Sequence, residues 1–491
     1  MFGMGRGLAI LLLTLGSGCQ NDAVTLEPED PADAPTFEER CGDAAPVELL
    51  ALHPQQYAFE MDWAPGGERL LVGVFQAAGP LGLFPSTQDR AIVSVGPCGE
   101  DPVVVGEAME VASPYDDIAL ACSVDGDALY RIDPTGAQPP VKILDGTCAV
   151  RHTDLGLVAV LPTEGRVGRL VIIRQPEVLA PAVETLVDGV GLPDSVFFGG
   201  DDHRTTPLWA SGREALAMRP SGEVIAVDLE DGTTSVEVDA AIEFRASSDG
   251  TKFVWQSAEG IEGDAETPIS PIFLHDRASS SGVHLLNSHL AWTAAPFRRK
   301  WTVVRDNSVL GQRIFDDAGV ELVLPEGTTL RGIISDEQFW LVRKEGDTTE
   351  ELVWDVGSEP RVVIDHVAGQ AAKHGDGFAV FEDDGQGPAL EGTLRYGAFE
   401  GGVDVLSERI NFDYRILGDG RLLSILDEDN NAHGRLLLQD PEAQRQVELA
   451  EHGYLHSPAL NKGDPFDGDV VWAVDDRETE EHALYRAAVA R

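Results

Sequence analysis

The 491-residue sequence predicts an all-β fold, a β-propeller built of four-stranded antiparallel blades, on three observations. Apolar and polar residues alternate in runs of about six residues from position 46 onward. Gly/Asp/Ser turns separate the runs. The runs group into units of roughly 45 residues with no helix-period stretch between them, the size of a four-strand propeller repeat.

The stretch from 214 to 257 shows the unit most plainly: EALAMR, EVIAVDL, TTSVEV, AIEFRAS and TKFVWQS follow one another across SG, EDG and SDG turns, which is an antiparallel meander. Its strongly apolar second run recurs as RLLVGVF (69–75), IALACS (118–123), LVAVLP (157–162), KFVWQS (252–257), KWTVVRD (300–306), QFWLVRK (338–344), GFAVFED (377–383), RLLSILD (421–427) and VVWAVDD (470–476). Ten units fit, while propellers usually stop at about eight blades, so the expectation is eight to ten units, in one ring by preference or in two joined by a chain crossover. The last unit shows only three runs before Arg491, and VELLALH (47–53), ahead of the first unit, is the candidate fourth strand. An N-terminal strand joining the last blade closes the ring without leaving an open edge.

Here a resemblance enters. WAPGGERLLVGVF (63–75), SVDGDALYRIDPTG (123–136), RPSGEVIAVDLEDG (219–232) and SSDGTKFVW (247–255) resemble the repeats of TolB-like propellers, which are related to the propeller halves of prolyl-oligopeptidase-type enzymes. The likeness covers residues 46–491 through short turn motifs. It implies the propeller fold and a periplasmic scaffold that binds other envelope proteins.

Residues 1–18 read as an export signal, with Arg6 before the apolar stretch Leu8–Leu15 and the small residues Gly16, Ser17 and Gly18 after it. That stretch is about half the length a membrane-spanning helix needs. Cys19 then resembles the lipidated cysteine of a bacterial lipobox, although Leu15 stands four residues before it where three is usual. Gln20 rather than Asp follows, which points to the outer membrane, with a secreted or soluble periplasmic protein as the alternative. Residues 19–45 hold an acidic, proline-bearing tether, and 46–491 form the propeller. The remaining cysteines, Cys41, Cys98, Cys122 and Cys148, are even in number, as disulfides in an exported chain require. Three pairings are open, and nearness in the repeat scheme favours Cys41 with Cys98 and Cys122 with Cys148.

With 84 Asp plus Glu against 36 Lys plus Arg, the formal net charge is −48. Such a surface repels phosphate backbones and anionic headgroups, so no nucleic-acid role is expected, and membrane contact is expected through the lipid alone. Self-repulsion favours a monomer. No Gly-x-Ser-x-Gly, phosphate-binding loop or dinucleotide fingerprint is present. His452 and His456 lack the Glu of a zinc motif, and DEDNNAHG (427–434) lacks the Gly and terminal Glu of a calcium loop. DDH (201–203) is a carboxylate–histidine neighbourhood of the kind chance produces in so acidic a chain. No metal or cofactor is expected.

One pattern stands out. The loops joining second to third runs are long and negative, and a meander puts all of them on one face of the ring. They carry Glu262, Asp264, Glu266, Asp347, Glu350, Asp383, Asp384, Asp427, Asp429, Asp475 and Asp476. The loop after the first unit's second run, 76–90, is instead apolar, with Leu81, Leu83 and Phe84. The expectation is a non-catalytic, lipid-anchored scaffold of the cell envelope that takes an envelope protein or basic peptide segment on its acidic face. The alternatives are a glycan- or peptide-processing enzyme using carboxylates at the channel mouth, and a calcium-dependent binding module.

Overall fold

The computed structural model describes Cys41, 47–52 and 56–488, less the segments 78–84, 164–166, 179–180, 192–207, 262–268, 290–296, 307–310, 346–347, 368–370, 375–376, 384–390, 417–420, 427–432, 441–444, 455–468 and 477–480. The export signal, Cys19, the tether before Cys41, Leu81, Leu83, Phe84, the DDH stretch and His456 therefore lie outside the described residues.

Eight antiparallel sheets account for every strand among the described residues, and no helix stands among them as an element. The fold is an eight-bladed β-propeller. Seven sheets have four strands in chain order, spanning 56–107, 109–145, 150–191, 208–238, 241–289, 297–322 and 328–367. The eighth has ten, running from Ala371–His374 through Glu481–Ala488 to Val47–Ala51. The ten sequence units and the eight sheets differ because two long strands each serve two units. Val403–Ile416 pairs through 403–411 with Glu391–Ala398 and through 410–416 with Leu422–Leu426. Arg445–Tyr454 pairs with His433–Asp440, then passes Gly453 and Tyr454 to Asp469–Asp476. The last three units are thus hydrogen-bonded into one sheet.

The ring closes where the sequence placed its seam. Val47–Ala51 pairs antiparallel with Glu481–Ala488, bringing Leu50 opposite Leu484. Leu49 and Leu50 of this strand also pack with Ala58, Leu70, Val72 and Val95 of the first sheet, so one short segment joins the eighth sheet by hydrogen bonds and the first by apolar contact.

Alternation along each middle strand is what stacks the blades. In Gly156–Pro162, Leu157 and Ala159 pack with Ile118, Leu120 and Leu129 of the second sheet. Val158 and Val160, pointing the other way, pack with Leu208, Ala215 and Ala217 of the fourth. The same arrangement joins the fourth sheet to the fifth through Leu216, Val224 and Phe253, and the seventh to the eighth through Trp340, Val353 and Phe378. Each such Val, Leu, Ile or Phe contributes roughly 1.5–3 kcal/mol by leaving water, and each alanine less. Outer strands, with one edge unpaired, run far more exposed: Thr234–Val238 has no buried residue.

Polar latches add direction to this packing. Tyr115 of the second sheet donates to the Thr153 carbonyl at 3.0 Å, Trp209 of the fourth to Ser248 at 3.2 Å, and Trp301 of the sixth to Asp336 at 3.0 Å. Each acceptor lies at the first hairpin of the next sheet. Trp209 explains the glycine in the SSDG turn. Gly250 has φ of +67°, and a Cβ there would sit 2.2 Å from the Trp209 ring, so both backbone and neighbour exclude a side chain.

Two disulfides are formed, Cys41–Cys98 and Cys122–Cys148, with Cα atoms 5.4 and 5.5 Å apart. The first ties the segment preceding the seam strand to the first sheet, and the second ties the second sheet to the segment entering the third. They place the chain in an oxidising, extracytoplasmic compartment.

Candidate functional site

Every acidic stretch singled out above joins a second strand to a third. Segment 258–268 links Lys252–Ser257 to Ile269–Asp276, and 346–347 links Gln338–Glu345 to Thr348–Asp355. Within the eighth sheet, 384–390, 427–432 and 477–480 do the same for the pairs beginning at Gly377–Asp383, Leu422–Leu426 and Asp469–Asp476. Antiparallel order puts the end of each second strand and the start of each third at the same end of their unit.

Glu262, Asp264, Glu266, Asp347, Asp384, Asp427 and Asp429 lie outside the described residues. Asp383, Asp475 and Asp476 are strand residues that finish second strands rather than loop residues. Glu350 is also in a strand, because the connection before it is only 346–347. Its register partner is Arg343, whose Nε donates to Glu350 Oε2 at 2.6 Å. With its side chain 13% exposed and its charge met by Arg343, Glu350 is a cross-strand pair rather than an open ligand for a partner.

Two buried ionic clusters were not anticipated. In the third strand of the seventh sheet, Glu351 is 0% exposed. Trp340 Nε1 donates to its Oε2 at 2.7 Å, Arg331 Nη2 lies 3.7 Å from Oε1, and Oε1 accepts no hydrogen bond. Burial pushes the Glu351 carboxyl above its ordinary range, against the opposing pull of Arg331 and Trp340. The folded state therefore holds this proton more tightly than the unfolded chain, and stability from this group falls as pH rises from about 4.5 through the raised value. Glu351→Gln keeps an acceptor for Trp340 and removes the buried charge. It is expected to raise stability at pH 7 by on the order of 1 kcal/mol and to flatten that pH dependence, read from melts at pH 4 to 8. Equal or lower stability at pH 7 would mean that the Arg331 attraction outweighs desolvation.

The second cluster bridges the fourth and fifth sheets. Arg277 donates through both terminal nitrogens to Glu214, each at 2.7 Å, and to Glu237 at 3.1 Å. These carboxylates raise its pKa above the ordinary arginine value. His275 is 4% exposed, with its ring centroid 4.7 Å from that of Phe253 and Nε2 3.5 Å from Glu237. Burial lowers the His275 pKa below 6.5 despite Glu237, so it is neutral at pH 7. A bidentate arginine held by two acids from the neighbouring blade is a structural tie. Among the described residues no group of three or more His, Cys, Asp or Glu side chains is placed to hold a metal ion, and no helix is long and apolar enough to cross a membrane.

Adjacent glutamates in a third strand are the signal that was available for Glu351. Both faces of a propeller blade are covered by neighbours, so in EELVW (350–354) successive side chains each meet a packed face. Nothing local marked the Arg277 cluster, whose two glutamates lie 40 and 63 residues before the arginine in the chain.

No protein family matches the chain, and no curated protein matches it. Among solved structures it is similar to the tricorn protease, at 12% identity over 87% of this chain and 47% of that one, with a TM-score of 0.27. It is similar also to oligogalacturonate lyase from Vibrio parahaemolyticus, at 13% identity over 78% and 97% of the two chains, with a TM-score of 0.29. BamB from Moraxella catarrhalis shows 11% identity over 72% and 99%, with a TM-score of 0.34. The chain thus spans about half of the tricorn protease. These likenesses lend no argument for a site or an activity.

Proposed function

We propose that the protein is a non-catalytic, lipid-anchored scaffold of the bacterial cell envelope, TolB-like in type, which binds a basic segment of another envelope protein through its acidic second-to-third connections. What supports the reading most is the equivalence of those connections. Five of them, drawn from the fifth, seventh and eighth sheets, occupy the same position in their units and concentrate carboxylates in a chain of net charge −48. Like charges within these connections repel one another, and a cationic partner relieves that repulsion on binding. The export signal and Cys19 support the anchor, with the outer membrane as the site of attachment.

The test is titration of the full chain with a lysine-rich peptide, repeated with Glu262, Glu266, Asp427 and Asp429 changed to their amides. Binding is expected to weaken at least about tenfold in the variant, and in the unchanged protein to weaken as salt rises. Equal affinity for both chains would remove the acidic connections from the reading.

A further inference from the structure

A groove of about 470 Å³ opens between the second and third sheets. One wall is Val141–Asp145, the last strand of the second sheet, and the other is formed by Gly156–Pro162, Val167–Ile173 and Val183–Gly191 of the third. Small-molecule sites occupy roughly 300–1,000 Å³, so the space suits a small ligand. Its walls are fixed before anything binds. Leu144 of one and Val171 of the other belong to a single buried cluster, and the Cys122–Cys148 bond ties the second sheet to the segment entering the third. Such a site loses little to ordering when a ligand enters.

The lining joins an apolar strip to a cationic end. Leu161, Arg169, Val171 and Thr185 share one face of the third sheet: Leu161 is the register partner of Arg169, Val171 stands two residues further along the same strand, and Thr185 pairs with Val171. Val183 of the same lining leaves 43% of its surface open, apolar area that a ligand could take out of water. Across the groove, Lys142 Nζ lies 2.7 Å from Asp145 Oδ1, and that carboxylate answers the ammonium. Arg169 takes no such partner. It is exposed, and among the described residues no Asp or Glu forms an ion pair with it, Asp188 opposite it in register included. Acids outnumber Lys plus Arg by 84 to 36 in this chain, which makes a guanidinium without one beside an apolar groove a departure from the acidic surface around it.

We propose that this groove binds a small carboxylate with an apolar tail, the carboxylate on Arg169 beside Thr185 and the tail along Leu161, Val171 and Val183. A guanidinium fork matches a planar carboxylate in two parallel hydrogen bonds. One negative charge balances the three charged side chains of the lining, Lys142, Asp145 and Arg169. The site calls for an anion, and so stands apart from the acidic connections, which call for a cation.

The experiment is equilibrium dialysis of the full chain against sodium octanoate at pH 7, with ionic strength held by chloride, and parallel dialyses against acetate, which lacks the tail, and octan-1-ol, which lacks the charge. Octanoate is expected to bind saturably at one site, and each comparator at least about tenfold more weakly. Arg169→Gln is expected to weaken octanoate binding at least about tenfold, Arg169→Lys to retain part of it, and Thr185→Trp, which fills the groove, to abolish it. Arg213→Gln, at an exposed pair with Glu230, is expected to bind as the unchanged protein. Arg169 and Thr185 are both exposed, so their variants are expected to melt with the unchanged chain. The proposal fails if octanoate does not bind saturably, or if Arg169→Gln or Thr185→Trp binds it fully. It fails also if acetate or octan-1-ol binds as tightly as octanoate.

Discussion

Changing Leu49 and Leu50 together to Asp is expected to abolish cooperative folding of the ring. The two side chains are 1% and 9% exposed and lie in one apolar cluster with Ala58, Leu70 and Val72. Placing a carboxylate in such a cluster costs several kcal/mol unless it protonates, and a whole domain is stable by only about 5–15 kcal/mol. Loss of the strand would also bare the hydrogen-bonding edge of Glu481–Ala488, an invitation to association between chains. Calorimetry and gel filtration would check this, with the exposed Glu48→Gln as the matched control. A double variant that melts within about 1 kcal/mol of the control would mean that the blades hold together without the seam.

The second large effect is expected at the junction of the seventh and eighth sheets. Phe378 is 0% exposed, stacks on Trp340 with ring centroids 5.3 Å apart and meets Phe399 at 5.6 Å. Phe378→Ala is expected to cost about 3–5 kcal/mol in urea unfolding, part of it from the lost ring pairs. The same substitution loosens Trp340, the donor to Glu351. Its cost should therefore fall when Glu351 is already Gln, and the double-mutant cycle measures that coupling. Additive costs would show that ring and carboxylate act separately.

The fold was legible because a blade is a local object. Each second run named from the sequence forms the second strand of its unit, since period-two alternation reports burial on both faces and Gly/Asp turns set the spacing. The merging of the last three units was harder to see, although VDVLSERINFDYRI (403–416) contains neither Gly nor Pro and so holds nothing to break one strand into two. The candidate site was legible only as an arrangement. The position of the acidic segments followed from strand order, but the pairing of Glu350 with Arg343 depends on a connection shorter than the sequence suggested. Arg151 was unremarkable in the sequence, because RHT in a four-residue strand gains meaning only when the neighbouring blade brings the Leu208 carbonyl beside it.

The placement of the Cys41–Cys98 bond has a mechanical consequence. Cys98 sits in the turn of the first sheet that abuts the seam strand, where Gly99, with φ of +85°, lies so close to the Glu48 carbonyl that a Cβ would reach within 2.1 Å of it. Tension applied to the chain upstream of Cys41 passes through the sulfur bridge into that turn. The five residues of Val47–Ala51 are thereby shielded from being peeled off Glu481–Ala488, and the bridge acts as a strain relief for the fastening that keeps the wheel shut.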